Sequence, residues 1–507
     1  MRTSGASAPG SKFATAPPLD LATGHNPAMA SAPHFVCDLG QPSSPLPHVW
    51  EVMVGSGHAA LGLRADWQRQ LMRCKRELGV RYVRCHGILS DDVGTLMCER
   101  DELVYSFFNA DSIYDFLRSI DVKPVVELSF MPSTLASAGD TVFHYRGNIT
   151  PPKDLAQWTT LIDKLVRHWV DRYGIAEVRT WMFEVWNEPN LPAFWTGTQQ
   201  QYFELYAATA RTIKAIDGGL RVGGPATASN SWIPEFVAYC KTHRVPVDFV
   251  STHHYPTDAF GKPGDDTEQQ LAASQRSILR SEASQAFGEA AGHPLYYTEW
   301  STSSNPFDDR HDEPYAAAYI AKTVMEVAGI AEGYSYWTFS DIFEENYFSS
   351  QPFHGGFGLL TIHGIAKPAY RAYELLHRLG DELLPIRGTH PTVDAWATRS
   401  ARRLAILVTN GALPRHPIKT ELVRLALEGA SPIQTAFVER IDDSHANARR
   451  AWEAMGSPGY LQPSEVDVLH AVSALVAEPV ALRSTGTGVE LDLAMPAQSV
   501  ALVTVEL

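Results

Sequence analysis

The chain has 507 residues, 45% hydrophobic and 20% charged, with a formal net charge of −15. That length accommodates roughly three domains of about 150 residues, or a barrel of about 250 with a companion domain. The acidic balance argues against nucleic acid and anionic membrane surfaces as partners. No uncharged apolar run reaches the ~18 residues of a membrane span.

Residues 1–33 are rich in Ala, Ser, Pro and Gly and lack the apolar run of about 7–15 residues in a secretory leader. They read as a disordered or tag-like tail. Cys37, Cys74, Cys85, Cys98 and Cys240 fall in no CxxC or zinc-type spacing, so reduced thiols are expected. A cytoplasmic location follows from that reading, with periplasmic or secreted placement left open. Segment 34–47 is expected to join a β-sandwich formed mainly by later residues.

From 48 to 384 short apolar runs alternate with amphipathic helical patterns. The strand-like runs are Val49–Val54, Tyr82–Cys85, Pro124–Ser129, Thr180–Trp186, Arg221–Gly223, Asp248–Thr252, Leu295–Thr298 and Tyr334–Phe339. Helices are predicted at Asp66–Leu78, Ser112–Ile120, Leu155–Tyr173, Gln199–Ile216, Trp232–Thr242, Glu268–Ala283, Tyr315–Ala328 and Ala369–Leu379. Eight strand–helix units imply parallel pairing with crossover helices, an α/β fold closed as a (β/α)8 TIM barrel. Over 385–507 the runs Leu404–Thr409, Lys419–Leu425, Ile433–Val438, Val480–Leu482 and Ser499–Val505 suggest a C-terminal β-sandwich accessory domain with little helix.

In such a barrel the C-terminal strand ends form the active face. Two of them carry a glutamate after an apolar run: Trp186–Asn187–Glu188–Pro189 on the fourth strand and Thr298–Glu299–Trp300 on the seventh. Paired carboxylates at one mouth point to retaining glycoside hydrolysis. Apolar Trp186 and Pro189 disfavour the charged form of Glu188, which suits a general acid and later base. Glu299 is the expected nucleophile, with the Tyr255 hydroxyl as a donor that keeps it ionised. Asn187 is placed to donate to the sugar 2-hydroxyl.

The remaining strand-end residues divide by role. Trp337 is expected as a stacking platform, and His253 as a sugar-hydroxyl contact. His253–His254 lacks partners at metal-ligand spacing, so neither a metal nor a cofactor is expected. Glu184 lies four residues before Glu188, about 13 Å further down the strand, and reads as a buried hydrogen-bonded carboxylate. Glu127 reads as structural too. His311–Asp312–Glu313 reads as a solvated loop.

Several stretches together resemble glycoside hydrolase family 39, whose best-known members are β-xylosidases. They are Val83–Leu89 followed by Asp91–Asp92, Tyr114–Leu117 with Val126–Pro132, and Arg172–Gly174 leading into Phe183–Asn190 and Phe194–Trp195. Ser335–Asp341 and, near the C-terminus, Ile441–Asp442, Asn447, Trp452 and Met455–Pro458 complete the similarity. The resemblance implies acid/base Glu188 and nucleophile Glu299. It also implies sugar contacts from His86, Asn187, His253, Tyr255, Trp337, Glu344 and Glu345. The expected activity is release of xylose from the non-reducing end of β-1,4-xylooligosaccharides, with α-L-arabinosides as a second substrate class. Competing readings are an α-L-iduronidase-like hydrolase, an inverting enzyme, and a non-catalytic carbohydrate-binding protein on the same scaffold.

Overall fold

Eight parallel strands close into a barrel in the computed structural model, which describes residues 34–506 except 263, 346–348, 402 and 430–434. The tail expected over 1–33 lies outside the described residues. The strands are β1 (Met53–His58), β2 (Tyr82–His86), β3 (Lys123–Leu128), β4 (Met182–Val185), β5 (Arg221–Thr227), β6 (Phe249–His254), β7 (Leu295–Trp300) and β8 (Gly333–Tyr336). They pair in that order, and Tyr336 of β8 meets Val54 of β1 to close the ring. Most are buried on both faces, which explains near-continuous apolar runs such as Val125–Val126.

The helices follow their apolar stripes. Leu155–Tyr173 buries Trp158, Leu161, Ile162, Leu165, Val166 and Trp169 along one face. Asp154 caps its first turn by accepting from the Ala156 N–H, and Gly174 ends it at φ +86°. Gln199–Ile216 begins with a Thr198/Gln201 capping box. Both helices have the bounds the pattern predicts.

Three stretches of the barrel region depart most from expectation. The run Val49–Val54 is divided: Val49–Glu51 forms a 3-10 turn, and the strand occupies Met53–His58. Its Gly55 and Gly57 hide it from strand propensity, yet they are sterically required. A Cβ on Gly55 would lie 2.6 Å from the Trp337 ring, and one on Gly57 2.8 Å from Phe343. The helix expected over Glu268–Ala283 is broken into Thr267–Ala273 and Ile278–Glu289. Between them Arg276 turns out to bond Asp394 and the Gly411 and Thr392 carbonyls, so tertiary contacts override helical propensity. His311 and Asp312 are not solvated; both are buried, and Asp312 pairs with the buried Lys367 at 2.6 Å.

Beyond the barrel two sheets share one apolar core that includes Phe35, Leu404, Ile406, Leu425, Leu491 and Val503. One sheet has five strands centred on Glu421–Glu428 and Gly488–Met495. The other has seven, including Val393–Ser400, Arg403–Asn410, Ala436–Ile441 and Ser499–Glu506. His34–Asp38 pairs with Glu421–Glu428 in the first sheet, and Ser44–Pro45 with Glu382–Leu384 in the second. Val480–Leu482 is not a strand; it lies between the short strands Glu478–Pro479 and Arg483–Ser484. Part of the run Ile433–Val438 lies outside the described residues. Two helices, Ala448–Ala454 and Pro463–Val472, interrupt this region, which is more helical than its sequence suggests.

Candidate active site

Strand β4 ends at Val185, and the chain then turns sharply through Trp186 at φ +72° and Glu188 at φ +42°. Left-handed backbone at such residues costs about 1–3 kcal/mol each and persists only where the surroundings fix it. Here the Glu188 N–H donates to the Ala226 carbonyl at 2.8 Å, and the Trp186 indole N–H to the Phe194 carbonyl at 2.8 Å. The turn aims the Glu188 carboxyl across the barrel mouth toward Glu299 on β7. A carboxylate oxygen of each, and a ring nitrogen of His253, all lie within 4.8 Å of one another.

The two glutamates have different surroundings. Glu188 meets His253 Nδ1 at 2.9 Å. Burial pushes its carboxyl up to about 7, and the neighbouring His86 and Arg84 only partly oppose that. Glu299 accepts from the Tyr255 hydroxyl at 2.5 Å and from Arg84 Nη1 at 3.3 Å. Its carboxyl is also raised, by burial and by the neighbouring Glu188, with the Arg84 charge acting against the shift. Hydrogen bonds from two donors favour the ionised form of Glu299 over that of Glu188. The pair therefore divides into a proton holder and an anion.

Asn187 and Arg84 fix each other. Arg84 Nη2 donates to Asn187 Oδ1 at 2.9 Å, which commits the amide oxygen and leaves the NH2 to donate. His253 has a fully buried side chain, and its Nδ1 is hydrogen-bonded to Glu188. Burial lowers its imidazole to about 4, so it is neutral near pH 7. Tyr255 is kept a neutral phenol by burial and by the Glu299 charge.

The remaining predicted residues line the side reached by β2 and β8. His86 Nδ1 binds Glu127 at 2.7 Å, and its Nε2 is 3.4 Å from Glu345. The Trp337 ring lies 4.6 Å from the His86 ring and is almost entirely covered. Glu345 is raised well above the usual carboxylate range by burial and by the charges of Glu299 and Glu188. Glu344 is more open and lies 3.5 Å from His58 Nδ1.

The model of glycosyl hydrolases family 39 matches residues 36–488. The chain belongs to glycosyl hydrolase family 39. It is an enzyme that hydrolyses glycosides. A curated beta-xylosidase of Caldicellulosiruptor saccharolyticus is 47% identical over 463 residues, spanning 90% of this chain and 95% of that protein. A second, from Geobacillus stearothermophilus, is 36% identical over 479 residues, with 90% and 92% covered. The crystal structure of a monomeric beta-xylosidase from Caulobacter crescentus superposes with a TM-score of 0.83 at 37% identity, covering 94% of this chain and 99% of that one.

In this family 39 hydrolase Arg84, a residue of β2, joins the predicted site residues through its contacts. Arg84 is fully buried and binds Glu184 at 2.6 Å and Glu127 at 2.8 Å, besides Asn187 and Glu299. Burial opposes its charge, but the carboxylates of Glu127, Glu184 and Glu299 outweigh that cost. A signal exists: an arginine between Val83 and Cys85 in a buried strand must have partners. Glu184 also accepts from Thr298 at 2.7 Å. His58, stacked on Tyr145 at 3.7 Å and 3.1 Å from Asp92, is hidden because the run Val49–Val54 places the first strand too early. Glu188, His253 and Glu299 form the one grouping with metal-ligand proximity among the described residues. The His253–Glu188 hydrogen bond accounts for that proximity.

Proposed function

We propose that this glycoside hydrolase is an exo-acting β-xylosidase that releases xylose from the non-reducing end of β-1,4-xylooligosaccharides with retention. The carrying observation is the close approach of Glu188 and Glu299, whose oxygens come within 4.8 Å. Retaining enzymes hold their carboxyls about 5–5.5 Å apart, and inverting ones about 6.5–9.5 Å. The curated beta-xylosidases at 47% and 36% identity support the substrate class.

The chemistry runs in two displacements. Glu299 attacks the anomeric carbon while Glu188 gives its proton to the departing glycosidic oxygen, forming a glycosyl ester. Glu188, now a carboxylate, takes a proton from water, and the water oxygen displaces Glu299 from the anomeric carbon. Asn187 donates to the 2-hydroxyl as positive charge develops on the ring. His86, Trp337, Glu344 and Glu345 enclose the far end of the sugar, consistent with removal of one terminal unit at a time.

An iduronate substrate would need a free cation for its carboxylate. Arg84 is committed to carboxylates and fully covered, and Lys367 is bound to Asp312 and Asp341. A neutral pentose suits the site better. α-L-Arabinopyranosides share most of the ring stereochemistry with β-D-xylosides, and a pocket without a group policing the differing hydroxyl discriminates poorly. Assays on xylobiose and on aryl β-D-xyloside, α-L-arabinoside and α-L-iduronide test the proposal. Xylose release from xylobiose is expected; turnover of the iduronide alone would reject the reading. A xyloside-to-arabinoside ratio above about ten thousand would reject dual use.

A further inference from the structure

His58 ends β1 with its side chain fully covered, and neither displacement uses it. Its ring stacks on Tyr145, with centroids 3.7 Å apart and planes inclined by 7°. Nε2 lies 3.1 Å from Asp92 Oδ1, and Nδ1 lies 3.5 Å from Glu344 Oε2. Neither nitrogen has any other partner among the described residues.

These contacts favour one protonation state. A neutral imidazole carries a single N–H, so one of the two carboxylates would face a buried lone pair. An imidazolium turns an N–H toward each. Burial opposes that charge, but Asp92 and Glu344 outweigh it and raise the imidazole above its usual range. Arg64 also acts on Glu344. Tyr145 is kept a neutral phenol by burial and adds no charge to the stack.

The ring joins four segments of the active face. Asp92 follows β2, where the Ser133 N–H donates to neighbouring Asp91 at 2.9 Å. Tyr145 follows β3, and Glu344 follows β8. Beside Tyr145, the His144 N–H donates to the Glu345 carbonyl at 3.1 Å. The Glu344–Glu345 pair is thus tied down twice, at the Glu344 carboxylate by His58 and at the Glu345 backbone by His144. Glu345 in turn stands 3.4 Å from His86 Nε2. Without a cation between them, Asp92 and Glu344 would repel each other. We propose that His58 is a positioning residue: as an imidazolium it clamps Glu344 to Asp92 and so fixes the Glu344–Glu345 wall against the terminal sugar. The inference rests on the xylosidase reading above.

The test reads the inhibition constant of xylose against an aryl β-xyloside across pH. His58→Gln keeps a donor without charge and reaches only one carboxylate. It is expected to weaken xylose binding about fivefold, within the span of coupling between contacting groups, while kcat changes by less than about twofold. In a Glu344→Gln background the same substitution should cost less than about twofold, because His58 acts through Glu344. Asp92→Asn alters a half-exposed side chain and covers the case in which His58→Gln fails to fold. It should weaken xylose binding most at the alkaline end, where His58 with one carboxylate left gives up its proton sooner. Glu188, Glu299 and Glu345 are present in every variant, so ratios to wild type isolate His58. Xylose inhibition unchanged in Asp92→Asn at every pH, or a His58→Gln loss undiminished in the Glu344→Gln background, overturns the assignment. A wild-type enzyme that neither turns over the xyloside nor binds xylose overturns the xylosidase reading instead.

Discussion

Arg84 donates to the amide oxygen of Asn187 at 2.9 Å, and this single contact decides which end of the Asn187 amide is left free to donate. With the oxygen committed, the NH2 is left to donate, and the proposed xylosidase reading assigns it to the sugar 2-hydroxyl. Asn187→Ala is expected to lower kcat on xylosides by about 100-fold, equivalent to about 2.7 kcal/mol. On the matching 2-deoxy substrates the loss should largely vanish. Equal losses on both would remove the 2-hydroxyl from the role assigned to Asn187.

The acid and the nucleophile are separable by leaving group. Glu188→Ala should lose about 10²–10⁴-fold on oligosaccharides but retain the first step on activated aryl xylosides, which need no proton. Azide should rescue it with a β-xylosyl azide product. Glu299→Ala should lose turnover on every substrate, and azide should yield the α-azide. Equal damage by Glu188→Ala on both substrate types would contradict its role as acid.

The pH dependence follows from the same pair. Glu188 must be protonated, and with its carboxyl raised to about 7 activity should fall as pH rises through that region. Glu299 must be ionised, and because it too is raised above the usual range, activity should fall on the acid side. The kcat/KM profile should be bell-shaped, with limbs belonging to the coupled pair. A profile flat from about pH 5 to 9 would contradict this division of roles.

Arg84 is a buried cation that faces the carboxylates of Glu127, Glu184 and Glu299. Arg84→Met should destabilise the fold by about 3–5 kcal/mol, measured by urea denaturation, because the carboxylates lose their partner. Arg84 also holds the Glu188 carboxyl down. In the variant the alkaline limb should therefore move to higher pH. An unshifted limb would show that Arg84 acts through folding alone.

Much of this was legible because barrel strands announce themselves as apolar runs and the glutamates stand at their ends. Glu188, Glu299, Asn187 and Tyr255 all gather at one mouth. What sequence patterning missed was set by distant contacts. Gly55 and Gly57 look like breakers until the rings of Trp337 and Phe343 occupy the space a Cβ would need. Arg276 sits in a helical pattern but is drawn out by Asp394, 118 residues later. Asp312 looks solvated until Lys367 is folded against it.

The stereochemistry of the first-formed product tests the central claim most directly. Proton NMR during the first minutes of xyloside hydrolysis should show β-xylose appearing first, followed by slow mutarotation. Initial α-xylose would mean a single displacement by water and would contradict a covalent ester on Glu299.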